Sequence, residues 1–259
     1  MKSTWFSKRS HYDFARCLQD ADYSLHSWDL LHEWLTAASL SLKQGCRVMV
    51  GLDPDPAIEE RVIKAQNRVK HPGKLAECLG ILVNGLEEET EDFLGSTISE
   101  LGQNDSKYRG QCFTPYSVCT MMARMTMQDM TPDPNHRLTL QEPACGGGAM
   151  VIASSDVLKE RGFFPWNYYW TCVDIDWRMF ACTYIQCSLL GIPATVIHGN
   201  TISLEQWESA NTFAATAHPY RVRKEPTKEP EPQPETTHAP IVSEPSIQDF
   251  AKHTQLTLF

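Results

Sequence analysis

Leu138-Thr-Leu-Gln-Glu142-Pro-Ala-Cys-Gly-Gly-Gly148-Ala-Met-Val-Ile152 passes from an apolar strand through a glycine cluster into a helix. Such a turn has the form of a nucleotide-cofactor loop. Glycine tolerates positive φ and lets a ligand approach where a Cβ would collide. The helix that follows points its free N–H groups and positive dipole end at the same space. Three glycines alone are equally compatible with an ordinary strand-to-helix turn, so the flanking sequence has to decide.

Upstream lies Gly110-Gln-Cys-Phe-Thr-Pro115-Tyr, and downstream Tyr169-Trp-Thr-Cys-Val-Asp174-Ile-Asp176, a second apolar strand ending in acids. Strand signals recur at Ala194-Thr-Val-Ile197, and helices are expected from the glycines to Lys159 and over about Trp177 to Leu190. Strands alternating with helices through short links predict a parallel, Rossmann-like α/β sheet, with ligands at the carboxyl ends of its strands. Thr114-Pro115 reads as an N-cap hydroxyl followed by a first-turn proline, which predicts a further helix past Met122.

Taken in order and at their spacing, Gly-Gln-x-Phe-Thr-Pro, Glu-Pro-Ala-Cys-Gly-Gly-Gly and Val-Asp-Ile-Asp resemble the adenine-N6 DNA methyltransferases, type I restriction-modification methylase subunits above all. The resemblance covers roughly Asp92 to Ile202. It implies S-adenosylmethionine as cofactor, duplex DNA as substrate and methyl transfer to N6 of a flipped adenine. It also implies cofactor contacts at Phe113, Thr114, Glu142, Ala144, Gly146, Gly148 and Asp174. Asp174, ending the second strand, is placed to accept the ribose hydroxyls. Asn200 stands where family members carry an acid facing the adenine amino group, and its carbonyl oxygen can accept the same bond. Cys145 lies inside the loop and reads as structural. The loop lacks the G-x-G-x-x-G pattern that a pyrophosphate favours.

The family's target-base tetrapeptide, Asn/Asp-Pro-Pro-Tyr/Phe, does not occur. Its nearest counterpart is Ala217-His218-Pro219-Tyr220, after a weakly strand-like Thr212-Phe-Ala-Ala-Thr216. It keeps a proline and the aromatic but has no amide or acid. The expected core is therefore a truncated sheet, completed by a second subunit or retained for binding without autonomous catalysis.

Ahead of the core, residues 1–105 read as helical. Apolar Leu25, Trp28, Leu31, Leu35, Ala38 and Leu42 recur at helical spacing, which favours packing over base stacking for Trp28 and Trp34. Asp53-Pro-Asp-Pro56 opens a helix running to about Val69, and another spans about Lys74 to Leu86. The run Glu87 to Asp92 reads as a solvated face or connector rather than a metal cluster. Asp92-Phe-Leu-Gly95 is similar to the lead-in of the same methyltransferases.

The core is assigned to 106–220, and 221–259 reads as a disordered tail rich in proline and glutamate. Its end, Gln255-Leu256-Thr-Leu258-Phe259, resembles the bacterial sliding-clamp-binding pentapeptide, with one polar and two apolar anchors suited to a preformed pocket. The segment from Pro219 to Thr254, if extended, would span on the order of 100 Å.

Composition bounds these readings. The 259 residues are 42% hydrophobic, enough for a real core, and contain neither a run of about 18 apolar residues nor a secretory leader, so a cytoplasmic protein without a membrane span is expected. Nine cysteines lack paired metal-site spacing, which leaves buried reduced thiols and no metal site. The net charge of −9 argues against tight autonomous DNA binding, which needs a basic surface, and makes tethering to a DNA-encircling clamp more useful.

Overall fold

The computed structural model describes residues 6–102 and 113–218. Five helices come first: α1 (Arg9–Ala21), α2 (Ser27–Met49), α3 (Pro56–Gln66), α4 (Gly73–Glu88) and α5 (Phe93–Gly102). There follow α6 (Tyr116–Met127), β1 (Leu138–Glu142), α7 (Ala149–Glu160), β2 (Tyr168–Asp174), α8 (Trp177–Leu189), β3 (Ala194–Asn200), β4 (Glu205–Asn211) and α9 (Phe213–Ala217). The α/β class and the helical amino-terminal region expected from the sequence are both present. The sheet order is β1-β2-β3-β4, with β1, β2 and β3 parallel.

The fourth strand differs from expectation. β4 runs antiparallel to β3, and the strand-like reading of Thr212 to Thr216 is replaced by α9. Thr212 is the reason: its hydroxyl accepts from Ala194 N (3.0 Å) and Ala215 N (3.4 Å) and donates to Ile192 O (2.6 Å), capping a helix rather than continuing a ladder. Gly199 lets β4 approach, since a Cβ there would meet the Glu205 carbonyl oxygen.

β2 is buried on both faces, which explains its continuous apolar run. α8 is buried from Met179 to Ser188 because it lies in contact with the sheet, α2 and α5 at once. The helical region therefore shares one apolar core with the sheet. Trp34 is fully buried and donates to Leu75 O (3.0 Å), and Trp28 packs against the same core. α1, which the sequence reading did not pick out, lines up Phe14 edge-on to Trp34 and Phe93 (centroids 4.9 and 5.8 Å).

The acid run also needs correction, because Glu91 and Asp92 are buried. Glu91 accepts from Lys8 Nζ (2.6 Å) and faces His11 Nε2 (3.2 Å), while Glu100 faces His11 Nδ1 (3.3 Å). Burial works against ionising Glu91, yet the hydrogen bonds from His11 and Lys8 outweigh it and hold the carboxyl below its usual range. The eight described cysteines are all free and buried. No helix among the described residues is long and apolar enough to cross a membrane.

Two glycines of α4 separate helix propensity from packing. Gly80 faces open space, whereas a Cβ at Gly85 would stand 2.5 Å from the buried Phe93 ring. Gly80→Ala should stabilise the protein by up to about 1 kcal/mol. Gly85→Ala makes the same backbone gain but forces a packed ring to move, a cost of about 1–3 kcal/mol, so it should destabilise. Urea unfolding of both variants checks the opposite signs.

Candidate functional site

The chain leaves β1 at Glu142 and turns into α7 through Gly146 (φ +54°) and Gly148 (φ +103°), conformations that side chains disfavour. At Gly146 the backbone faces open space: a Cβ there would meet nothing within 4 Å. The loop is held from behind. Gly146 O accepts from Thr183 Oγ1 (2.9 Å), Gly147 O from Gln186 Nε2 (2.8 Å), and Pro143 O from Thr201 Oγ1 (2.6 Å). Gly147 is pressed so closely on α5 that a Cβ would stand 2.8 Å from the Asp92 carboxylate and 2.9 Å from Gly95 Cα.

In front of the loop is a cavity of about 130 Å³ whose lining includes Asp92, Phe113, Thr114, Glu142, Gly146 and Met150. Whole ligands generally occupy roughly 300 Å³ or more, so this space suits one end of a ligand that continues into the cleft outside. Glu142 is buried; its Oε1 accepts from Ala144 N (3.3 Å), and its Oε2 has no partner among the described residues. Burial, with a smaller contribution from the nearby Asp174 charge, pushes its carboxyl up to about 7. An unpaired buried carboxylate is costly, and a cationic or hydrogen-donating ligand relieves that cost.

Asp174 stands at the end of β2. Its Oδ2 accepts from Gly146 N and its Oδ1 from Asp176 N, each at 2.8 Å. Burial raises its carboxyl above the usual range. Asp176 has the separate task of capping α8, accepting from Arg178 N (2.9 Å). Each Asp174 oxygen keeps a lone pair for a hydroxyl donor in the cleft. Exposed Ile175 follows it directly and offers an apolar surface beside the carboxylate.

The fold thus gathers Phe113, Thr114, Glu142, Ala144 and Gly146 around one cavity, with Asp174 tied to the loop and Gly148 opening α7. Asn200 ends β3, and its Oδ1 accepts from Ile202 N (2.9 Å) and Ser203 N (3.3 Å). Thr114 does not cap α6: Pro115 occupies the cap position with no side-chain bond, and the extended Pro115 backbone leaves Thr114 exposed beside the cavity. Cys145 is buried, and desolvation raises its thiol well above the ordinary range, which fits a structural rather than nucleophilic side chain.

Ala217 and His218 are not part of this gathering. Antiparallel β4 returns the chain to the amino end of the sheet, where His218 O accepts from Arg137 Nη1 (2.8 Å), one residue before β1 begins. The glycine loop leaves from the other end of β1. Pro219, Tyr220 and the clamp-motif residues Gln255, Leu256, Leu258 and Phe259 lie outside the described residues. Sequence reasoning missed Cys119, Gly147, Ala149 and Met150 of the cavity lining and, among its acids, Asp92, for which the Asp-x-x-Gly pattern with Gly95 was the available signal.

The model of the N-6 DNA Methylase family matches residues 91–256, from Glu91 beside the cavity through all three motifs. The chain belongs to the N-6 DNA methylase family. Curated proteins show no match to this family member. Among solved structures it is similar to one described as a class I S-adenosylmethionine-dependent methyltransferase from Listeria monocytogenes, at 13% identity and a TM-score of 0.39, covering 71% of this chain and 51% of that one. It is also similar to the type I restriction-modification system methyltransferase subunit from Streptococcus thermophilus, at 12% identity and a TM-score of 0.36, covering 71% and 55%. This N-6 DNA methylase family chain therefore spans about half the length of the solved structures it matches.

The raised Glu142 carboxyl has a definite consequence for stability. An acid that ionises at its usual 4.5 when unfolded but only near 7 when folded takes up a proton on folding, so stability falls as pH climbs between these values. The loss is complete above about pH 7 and amounts to at most about 3 kcal/mol. Glu142→Gln should therefore leave the melting temperature unchanged near pH 4.5 and raise it at pH 8. Equal melting temperatures for the two proteins at pH 8 would contradict the assignment.

Proposed function

We propose that this chain holds S-adenosylmethionine for methyl transfer to N6 of adenine in duplex DNA. The observation that carries this reading is Glu142, a buried carboxyl whose Oε2 has no partner among the described residues and which lines a cavity beside the glycine loop, an arrangement that favours the cationic end of a ligand. When bound, the cofactor supplies an electrophilic methyl group on a sulfonium. Phe113 and Thr114 would cover its methionine end, and the backbone of Ala144, Gly146 and Gly148 would let it approach without side-chain collision. Asp174 would take the ribose hydroxyls on its remaining lone pairs, and Asn200, whose Oδ1 already accepts from Ile202 N and Ser203 N, would accept from the adenine amino group by giving up the longer of these bonds. The chain's own work is then to bind, orient and hold the methyl donor, which is a large part of any transfer reaction.

The groups that grip the target base are proposed to come from outside these residues. No Asn/Asp-Pro-Pro-Tyr/Phe occurs in the sequence, and the fold sends Ala217 and His218 away from the cavity. Two surfaces favour an added part. Among the described residues β1, which feeds the cofactor loop, is hydrogen-bonded in the sheet only to β2. α6 turns Cys119, Ala123 and Met127 inward, yet exposes Val118, Met121 and Met125 at helical spacing. The same observations favour a second reading, in which the chain is a cofactor-binding accessory protein without catalysis of its own.

Recruitment to DNA is proposed to pass through the terminal Gln255-Leu256-Thr-Leu258-Phe259 and a bacterial sliding clamp. A net charge of −9 leaves little intrinsic affinity for phosphate, and a tether to a ring already on DNA raises the local concentration instead.

Incubated with labelled S-adenosylmethionine and unmethylated duplex DNA, the purified chain is expected to bind cofactor but to transfer methyl groups only when a polypeptide bearing the Asn-Pro-Pro-Tyr/Phe motif is supplied. Appearance of N6-methyladenine with the chain alone would overturn the shared-site reading and establish a self-sufficient enzyme. Removal of Gln255 to Phe259 should abolish retention on immobilised clamp, and unchanged retention would end the recruitment proposal.

A further inference from the structure

The cavity contains a second acid whose surroundings are as specific as those of Glu142. Asp92 is 3% exposed and lines the same space. Its Oδ1 accepts from Gly95 N and from Gln186 Nε2, both at 2.9 Å, so the carboxylate is fixed in orientation. Oδ2 receives no hydrogen bond from the described residues. The carboxylate lies where a Cβ at residue 95 would be, so the glycine three positions on makes this placement possible. Gln186 is itself immobilised, with its oxygen accepting from Leu94 N (3.0 Å) and its nitrogen bound also to Gly147 O (2.8 Å).

Two carboxylates thus face one small cavity, and none of the described residues lining it is basic. Among the described residues neither Asp92 Oδ2 nor Glu142 Oε2 receives a hydrogen bond. Holding two acids together without a counter-charge is unfavourable, so the arrangement calls for a cation from outside. A metal ion would be better served by three or more ligating groups, and no such group of His, Cys, Asp or Glu exists among the described residues. A ligand ammonium, with three N–H donors on a point charge, matches two carboxylates lining one pocket.

Resting on the S-adenosylmethionine reading above, we propose that Asp92 contacts the cofactor directly. Its carboxylate and that of Glu142 together receive the α-ammonium of the methionine end. Gly95 and Gln186 are positioning residues that hold the Asp92 carboxylate in place. The site therefore selects ligands that carry the amino-acid ammonium, and the nucleoside end is bound independently near Asp174.

Calorimetry on the full chain with two probes separates this from a structural role. S-adenosylmethionine carries the ammonium; methylthioadenosine has the nucleoside and thioether but no amino-acid end. Asp92→Asn, which keeps an oxygen for Gly95 N and Gln186, should lower affinity for S-adenosylmethionine on the order of tenfold and leave methylthioadenosine within about twofold. Gly95→Ala, which displaces the same carboxylate, should reproduce this selective loss. Equal weakening of both ligands, or no weakening of either, in variants that melt cooperatively would overturn the assignment. Failure of the unaltered chain to bind either probe would instead remove the S-adenosylmethionine reading itself.

Discussion

One buried amide joins the parts of this molecule. Gln186, fully buried in the last turn of α8, accepts from Leu94 N at the start of α5 and donates to Asp92 Oδ1 and to Gly147 O in the glycine loop. Three hydrogen bonds from one side chain satisfy its oxygen and both hydrogens, so it is buried at little cost while demanding a single arrangement of its neighbours. The helical region and the cofactor loop cannot move apart without leaving that amide unpaired, a penalty of about 1–3 kcal/mol for each orphaned group. The same contact explains why Gly147 and Gly95 cannot carry side chains: α5, the loop and the Asp92 carboxylate occupy one another's Cβ positions.

This tie gives the amino-terminal helices a role in the site. α1 reaches it through His11 and Lys8, which engage Glu91, the residue before Asp92. Glu91 and Asp92 are adjacent in sequence yet electrostatically opposite. The first is held below its usual range despite burial, by His11 and Lys8; the second is pushed up by burial beyond what Gln186 and Gly95 restore. The neutralised acid secures packing between helices, and the un-neutralised one faces the cavity. An acid left without a counter-charge beside a glycine loop is unfavourable for folding, and such a cost is commonly borne where a ligand will offset it.

Much of the sheet was legible in the sequence: Tyr168–Asp174 is a nearly continuous apolar run because it is buried on both faces, and the shorter apolar starts of Leu138–Glu142 and Ala194–Asn200 are framed by turn and helix signals. The glycine loop, Asp174 and Glu142 were legible through motif spacing. β4 was not: Glu205-Gln-Trp-Glu-Ser-Ala-Asn211 is a polar edge strand, defined by its pairing with β3 rather than by its composition. α1 buries His11, Phe14, Leu18 and Ala21 at regular helical spacing, a stripe that was legible in the sequence although the reading began its helices at Leu25. Glu91 and Asp92 looked solvated within an acid run because their partners, Lys8, His11 and Gln186, lie about 80 to 94 positions away. Burial of a charge depends on long-range neighbours, which local pattern does not contain.

The position of the cavity within the sheet carries the remaining argument. In open parallel sheets, ligands bind where the strand order reverses, because the helices on the two sides diverge there and leave a crevice. Here the order runs β1-β2-β3-β4 in one direction, and the glycine loop belongs to β1, an edge strand. The described residues therefore form one wall of such a crevice: loop, Glu142 and Asp174 on one side, with α6 covering α7 but in substantial contact with no strand. A strand added beside β1 would create the reversal at the point where the loop departs. The proposed donor site and the proposed target-base site would then meet across β1, as transfer from a bound sulfonium to an extruded base requires.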